Sequence, residues 1–346
     1  PVPLTPISYR CYADALQAEA DRYHLALPAD TMTEDDDAWA DKVGLLLQEP
    51  VPLVSFAFGL PSADVVRALR GAGSLVAQTV TTPAEALAAA DTDVDLLIVQ
   101  APAAGGHSAT LTPDRPLTAV ALPDLVDDIR HTVPLPAIAA GGIATPADTA
   151  AALRAGAHAV MVGTLLLRTH ESGASVPHKA ALTDPAFTET ALTRAFTGRP
   201  ARALRNRFTD TYDSVAPLGY PALHHLTAPL RRAATAAGDT DLIHLWAGTG
   251  HRAARRASSD GSTYSSRWIV AGLGYAAVAL VSALAVSRAI PGKGSSAPCR
   301  HEWQPCWVNH LYPGAFLVTL ASLAATVAVM HWLPRWMPKL RAHSRK

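Results

Sequence analysis

The chain has 346 residues, the length of about two domains or of one large α/β domain with an appendage. Its 29 basic and 29 acidic side chains cancel, but residues 1–100 carry 5 basic against 15 acidic residues and residues 201–346 carry 17 against 6. This uneven charge excludes a uniform nucleic-acid binder. A hydrophobic content of 49% excludes a disordered chain, and three cysteines exclude a disulfide-dense scaffold.

The first 50 residues differ from the rest of the chain. Helical patterns cover residues 9–25 and 36–48, and the acidic run 34–37 lies between them. We expect this run to form a solvated helix start and not a metal site. The two helical segments are interpreted as a lid region of the domain that follows.

From residue 51 onward, short apolar runs alternate with helical segments. Ser or Thr and Pro with a nearby acid, as in Thr82-Pro83 and Thr145-Pro146, are typical of helix starts. Strands separated by about 20 to 40 residues with helices between them favour parallel pairing, in a β/α barrel or a doubly wound sheet. The predicted strands are residues 51–57, 74–80, 95–100, 136–140 and 159–163.

Small-residue loops follow three of these strands. The loop 100–107 ends in Gly-Gly-His, Gly141-Gly142 precedes a helix start, and Gly163-Thr164 ends the last strand. Ligands of parallel β/α proteins lie at the carboxyl ends of the strands, and glycines let backbone amides approach an anion. We therefore predict a phosphate cradle at Gly141-Gly142 and Gly163-Thr164.

His107 is the strongest candidate for a catalytic residue. It lies at a strand end, and Gly105-Gly106 before it are expected to leave room for a flat ligand. An imidazole can exchange a proton or hydrogen-bond a substrate oxyanion near neutral pH. The alternative is a loop histidine with only a backbone partner.

The C-terminal quarter is predicted to be a membrane hairpin. Residues 268–290 carry no charge before Arg288 and residues 314–333 carry none, and each run is long enough to span a bilayer. Basic residues before the first and after the second run place both termini and the preceding domain in the cytoplasm. Residues 251–267 are interpreted as a polar linker. In the outer loop, Cys299 and Cys306 are available for an intraloop disulfide.

Several segments of the chain resemble the bacterial nitronate monooxygenases, in chain order and over roughly residues 8–256. The resemblance implies a TIM-type (β/α) barrel that binds flavin mononucleotide (FMN). It implies that Gln100 and Gly105 line the flavin, that Gly142 and residues 161–164 hold its phosphate end, and that His107 is the catalytic base or the group that orients the nitronate. The segments are VPLVSFAFGLP (51–61), TVTTPAEAL (79–87), VQAPAAGGHSAT (99–110), AIAAGGIATPAD (137–148), AVMVGTLLL (159–167), TRAFTGRPARALRNRF (193–208) and LWAGTGHR (245–252). The predicted cofactor ligands are thus Gln100, Gly105, Gly141, Gly142, Met161, Val162, Gly163 and Thr164.

The five predicted strands match the fourth to eighth strands of the family's barrel, and nothing corresponds to the first three. We therefore expect an incomplete FMN-binding barrel over residues 1–250. Three explanations of the incomplete barrel are open: the chain is a fragment, the gene is truncated, or a partner or a second copy of the chain completes the barrel. The membrane hairpin is foreign to the family.

The expected activity is the oxidation of an alkyl nitronate or nitroalkane by oxygen to a carbonyl compound and nitrite. The alternatives are a membrane-tethered flavin NAD(P)H:quinone or enoyl reductase, and an inactive barrel remnant that acts as a membrane-anchored interaction protein.

Overall fold

A computed structural model describes residues 4–169 and 172–254 of the chain. These residues fall into one compact unit, residues 1–263. The helices are α1 (Pro6–Ala15), α2 (Gln17–Arg22), α3 (Trp39–Gln48), α4 (Ala63–Gly71), α5 (Pro83–Ala90), α6 (Leu122–Thr132), α7 (Pro146–Arg154), α8 (Val176–Ala181), α9 (Arg207–Tyr212) and α10 (Ala222–Ala237). The strands are β1 (Leu53–Phe56), β2 (Leu75–Val80), β3 (Leu96–Gln100), β4 (Gly106–His107), β5 (Ala137–Ala140), β6 (Ala159–Met161), β7 (Thr190–Thr193) and β8 (Ala201–Leu204).

A five-stranded parallel sheet forms the centre of the fold. Its strand order is β1-β2-β3-β5-β6, and every neighbouring pair is parallel. Each of the five predicted strands is present within a few residues of its expected bounds. The predicted α/β class with a parallel sheet is therefore confirmed.

The predicted helix starts form as side-chain caps. The hydroxyl of Ser62 accepts a hydrogen bond from the Val65 amide at 3.3 Å, and that of Thr82 accepts one from the Glu85 amide at 3.2 Å. These bonds satisfy amides at the first turn that have no partner within the helix. Local sequence thus fixes where the crossover helices begin.

The two faces of the parallel sheet are covered differently. Val76, Leu97 and Val99 point to the helix side, where α4, α5 and α6 form a closed apolar core. On the opposite face only the centre is closed, because Leu53 and Leu75 at one side and Met161 at the other are 41%, 52% and 47% exposed. Among the described residues, β1 and β6 each pair with one strand. The absence of three barrel strands stays a prediction.

A second, antiparallel sheet was not predicted from the sequence. Its order is β4-β8-β7, with His107 opposite Ala201 and Gly106 opposite Arg202. Its strands are only two to four residues long and lack an extended apolar run, so they give no clear periodic signal. This small sheet carries His107.

A second core lies beside the small sheet and includes the first helix. Tyr9 and Tyr12 of α1 are buried there with Phe196, Phe208 and Leu223. Phe196 and Phe208 stack at 4.6 Å between ring centroids. The segment predicted as a lid region therefore packs α1 into the protein interior, while α3 has no buried residue.

The predicted linker and membrane hairpin, residues 251–267, 268–290 and 314–333, lie outside the described residues apart from residues 251–254, as do Cys299 and Cys306. Within residues 4–169 and 172–254, no helix is both long enough and apolar enough to span a bilayer.

Candidate active site at the carboxyl ends of the strands

Three of the predicted loops converge at one edge of the parallel sheet. Gln100 of β3 lies beside Ala140 of β5, and Ala140 lies beside Met161 of β6. The loops that follow these three residues therefore leave the sheet side by side, because neighbouring parallel strands end at the same edge. The structure thus brings together the glycine pairs that the sequence analysis selected as a phosphate cradle.

A fourth loop, residues 247–250, completes this edge and was missed from the sequence. The Gly248 amide donates to the Thr164 hydroxyl at 2.9 Å, and the Thr249 amide donates to the Ala103 carbonyl at 3.1 Å. The loop thereby ties the β3 loop to the β6 loop. Its Gly-Thr-Gly sequence follows the short extended segment at Trp246, and this was the signal that could have revealed it.

Gly105 packs closely against the backbone of the loop 247–250. A Cβ atom at this position would lie 2.5 Å from the Gly248 nitrogen and 2.6 Å from the Ala247 carbonyl carbon. On its Cβ side, Gly105 is therefore packed against the chain's own backbone. Its role as a flavin ligand stays a prediction. Beside Gly106, which has a φ of +80°, the space is open.

The Gly-Gly and Gly-Thr loops offer backbone groups to an anion. Gly141 and Gly142 have φ values of +106° and +76°, which non-glycine residues rarely adopt. The Asp148 carboxylate already accepts hydrogen bonds from the Ala144 and Thr145 amides at the start of α7. An anion at this edge is thus left to the loops at 141–142 and 163–164, and not to the helix end.

The other predicted cofactor ligands occupy different environments. The Gln100 side chain donates to the His107 carbonyl at 3.1 Å and accepts from the Ala109 amide at 2.8 Å, so it closes its own loop. Val162 packs against the helix-side core, which leaves only its backbone for a ligand. Met161 lies on the open face of the sheet. The roles of these residues as ligands stay predictions.

His107 lies in a box of aromatic rings. Its ring centroid is 5.6 Å from those of Phe58 and Tyr220 and 5.2 Å from that of Trp246. Phe58 follows β1, while the other two rings come from the segments on either side of α10. These three wall residues could not be selected from the sequence, because they are far apart in the chain and no shared motif connects them. We call His107 and its three aromatic neighbours the His107 box.

Thr197 fixes the orientation of the His107 ring. Its hydroxyl lies 2.8 Å from the histidine Nε2 and 3.4 Å from the Arg199 carbonyl. Both contacts are made at once when Nε2 carries the ring proton and donates to the Thr197 hydroxyl, which then donates to the Arg199 carbonyl. In the other tautomer, with the ring proton on Nδ1, Thr197 donates to Nε2 and the contact to the carbonyl is not a hydrogen bond. In both tautomers Thr197 engages Nε2. In the described part of the chain, Nδ1 has no hydrogen-bond partner.

His107 is held neutral by its surroundings. Burial, followed by the charges of Arg199, His224 and Arg231, lowers the pKa of His107 to about 4. Arg199 is buried and donates to the Ser108 carbonyl at 3.0 Å and to the Thr110 carbonyl, and its guanidinium lies 4.2 Å from the Phe58 ring centre. Arg199 thus fixes the segment that follows His107 and also places a positive charge near the ring.

We expect the stability of the protein to fall as the pH decreases from 7.5 to 5.0. Burial, then the charge of Arg231, lowers the pKa of His244 to about 3. The unfolded chain, with histidine pKa values near 6.5, binds more protons below that pH than the folded chain, so acid favours unfolding, and His244 alone contributes roughly 2 kcal/mol. Urea unfolding at the two pH values measures this change. His244→Gln should flatten the dependence, and parallel curves for the two proteins would contradict it.

The fold is that of a parallel β/α protein. Its candidate ligand site consists of glycine-rich loops at the carboxyl ends of the strands, beside a neutral histidine that aromatic rings surround. The chain belongs to the nitronate monooxygenase family, since the sequence model of that family matches residues 5–261. This confirms the resemblance found in the sequence segments.

Individual relatives agree with this membership. A probable nitronate monooxygenase of Staphylococcus aureus is 34% identical over 235 residues, which cover 67% of this chain and 66% of the relative. The chain thus spans about two thirds of the length of that relative. The crystal structure of a nitroalkane oxidase from Streptomyces ansochromogenes is 43% identical, covers 81% of this chain and 80% of its own, and superposes with a TM-score of 0.70. FabK from Thermotoga maritima is 25% identical, with coverage of 72% and 82% and a TM-score of 0.53.

Proposed function

We propose that the chain is part of an FMN-dependent enzyme that oxidises alkyl nitronates with molecular oxygen to carbonyl compounds and nitrite. The observation that carries this proposal is the His107 box in a member of the nitronate monooxygenase family. Its Trp246 directly precedes the loop 247–250, which bonds to Thr164. Bound FMN would supply the electron acceptor that the side chains of the protein lack.

The strand-end loops fit the phosphate end of FMN. Gly141 and Gly142 have positive φ values that glycine adopts readily, and a Cβ at Gly163 would meet no atom within 4 Å. The Thr164 hydroxyl accepts from Gly248 and keeps its own proton for a phosphate oxygen. We therefore propose Gly141, Gly142, Gly163 and Thr164 as the phosphate ligands.

His107 suits the orientation of an anion better than the removal of a proton from carbon. A base with a pKa of about 4 has little driving force to deprotonate a neutral nitroalkane near neutral pH. In the tautomer with its proton on Nδ1, which we propose for the substrate complex, the ring can donate a hydrogen bond to a nitronate oxygen while Thr197 contacts the opposite nitrogen. We propose that His107 binds the nitronate and that the substrate arrives already ionised.

The surrounding charges favour the same substrate. Arg199 and Arg231 are buried near His107, and within residues 4–169 and 172–254 neither forms an ion pair with a carboxylate. Their field is therefore positive toward the His107 box, which attracts a nitronate and not a neutral nitroalkane.

The test is nitrite release by the purified full-length chain supplied with FMN. Propionate 3-nitronate should give nitrite, and nitroethane at neutral pH should give much less. A visible spectrum with bound flavin but no nitrite, together with NADH-driven quinone reduction, would favour the reductase alternative. A chain that neither binds flavin nor releases nitrite would favour the inactive remnant.

A further inference from the structure

Arg231 lies behind the His107 box and is buried in an unusual way. It projects from α10, is 6% exposed, and donates through Nε to the Thr227 hydroxyl at 3.1 Å. Within the described residues Arg231 forms no ion pair with a carboxylate, and Asp35, which acts on His224, pairs with His225 at 2.9 Å. Burying a cation without a carboxylate partner reduces the stability of the folded protein. We therefore expect the buried charge of Arg231 to serve a function.

Two histidines share the guanidinium of Arg231. One terminal nitrogen lies 3.3 Å from His244 Nδ1, and the other lies 3.2 Å from His224 Nδ1 and 3.0 Å from the His224 carbonyl. Because a guanidinium only donates, both imidazoles must be neutral and present a bare Nδ1. A single planar group therefore sets the tautomer and the orientation of both rings.

Each of these histidines supports one wall of the His107 box. The His244 ring lies 5.2 Å from Trp246, which is itself 5.2 Å from His107. The His224 ring lies 6.2 Å from Tyr220, which is 5.6 Å from His107. Arg231 thus reaches both sides of the box through one layer of rings.

Among the described residues, no carboxylate pairs with this charge where it faces His107, and the Asp35 carboxylate acts on His224. The groups that face His107 are Arg199 from the segment before β8, Tyr220 and His224 around the start of α10, and His244 and Trp246 after α10. Glu85 acts on Arg199, and its own oxygens accept from Thr81, Thr110 and Leu111. The charge of Arg231 is therefore felt across rings of low polarity.

We propose that Arg231 is a positioning residue that holds the Tyr220 and Trp246 walls through His224 and His244 and places behind them an uncompensated positive charge that selects an anionic substrate. The inference rests on the proposed function, because it names the residue that separates a nitronate from a nitroalkane. The low pKa of His107 is consistent with this charge.

The kinetic test compares the full-length variants Arg231→Met, Arg231→Lys and Arg232→Met. Arg232 is the exposed neighbour on α10 and provides the matched control. Arg231→Met should raise KM for propionate 3-nitronate roughly tenfold with little change in KM for nitroethane. Arg232→Met should match the wild type for both substrates. Equal rises of KM for both substrates in Arg231→Met would reduce Arg231 to a packing role and overturn the proposal.

A second measurement does not depend on activity. Titration of ¹⁵N-labelled histidines by NMR, with His107 assigned by substitution, should show its pKa rising by roughly half a unit in Arg231→Met. An unchanged His107 pKa in that variant would also overturn the proposal. If the wild-type chain releases no nitrite, the proposed function fails, while this titration still decides the role of Arg231.

Arg231→Lys keeps the test decisive if Arg231→Met does not fold. A lysine retains the charge but cannot bridge two Nδ1 atoms with one planar group. We expect kcat for the nitronate to fall several-fold while the His107 pKa stays low. Wild-type kcat in Arg231→Lys would show that the two histidines need no such bridge.

Discussion

Replacing His107 with Ala is expected to lower kcat/KM for propionate 3-nitronate roughly 10- to 100-fold. The loss corresponds to one hydrogen bond to a charged group, about 1.5 to 3 kcal/mol. Replacing it with Gln should restore much of the rate, because the Gln amide can donate where the imidazole donates. Steady-state nitrite release measures both effects.

The Ala and Gln pair separates the two roles open to His107. A Gln can donate a hydrogen bond but cannot act as a base, so equal loss of propionate 3-nitronate oxidation in both variants would contradict the orienting role. The matched control is His131→Gln on the surface of α6, where the histidine bonds to its own helix at the Asp127 carbonyl. That variant should keep wild-type kinetics.

Gly105→Ala is expected to destabilise the protein by about 2 kcal/mol and to weaken FMN binding by at least tenfold. A methyl group there would press against the backbone at Ala247 and Gly248, which cannot move aside as a flexible side chain can. The shift would separate the loops joined by the Gly248 to Thr164 hydrogen bond. Thermal unfolding and titration of the flavin fluorescence measure the two effects.

Gly71→Ala supplies the matched control for this substitution. Gly71 is the last residue of α4, and a Cβ there would meet no atom within 4 Å. The free energy of unfolding of Gly71→Ala should stay within about 0.5 kcal/mol of that of the wild type. Equal stability of Gly105→Ala and Gly71→Ala would show that the 247–250 loop can relax, and would remove the basis for the predicted loss of flavin.

Much of the fold could be predicted from local patterns. Apolar runs such as residues 95–100 and caps such as Thr82 specify strands and helix starts through interactions within a few residues. The parallel order then follows from the regular alternation, because each crossover connects neighbouring strands. The short strands β7 and β8 carried no such signal, since their pairing joins residues across a turn and packs against a distant core.

The candidate site was predictable only in part, because some of its residues follow strands directly while others come from distant segments of the chain. His107 and the glycine pairs follow strands directly, so their sequence position indicates the edge at which they lie. Phe58, Thr197, Tyr220 and Trp246 meet His107 from four separate segments, and no spacing in the chain announces that meeting. The close packing of Gly105 was not predictable either, because the backbone that it contacts belongs to Ala247 and Gly248, far away in the chain.

The sequence by itself determined the strands of the parallel sheet, the helix starts and the family, and it predicted the edge of the sheet at which we propose that the ligand binds. These properties depend on residues close together in the chain or on motifs in a fixed order. Only the tertiary structure decided that His107 is neutral, which of its nitrogens is engaged, and that Arg231 lies behind its aromatic walls. Burial and charge at one atom are sums over groups from distant segments, and only the folded chain brings those groups within range of one another.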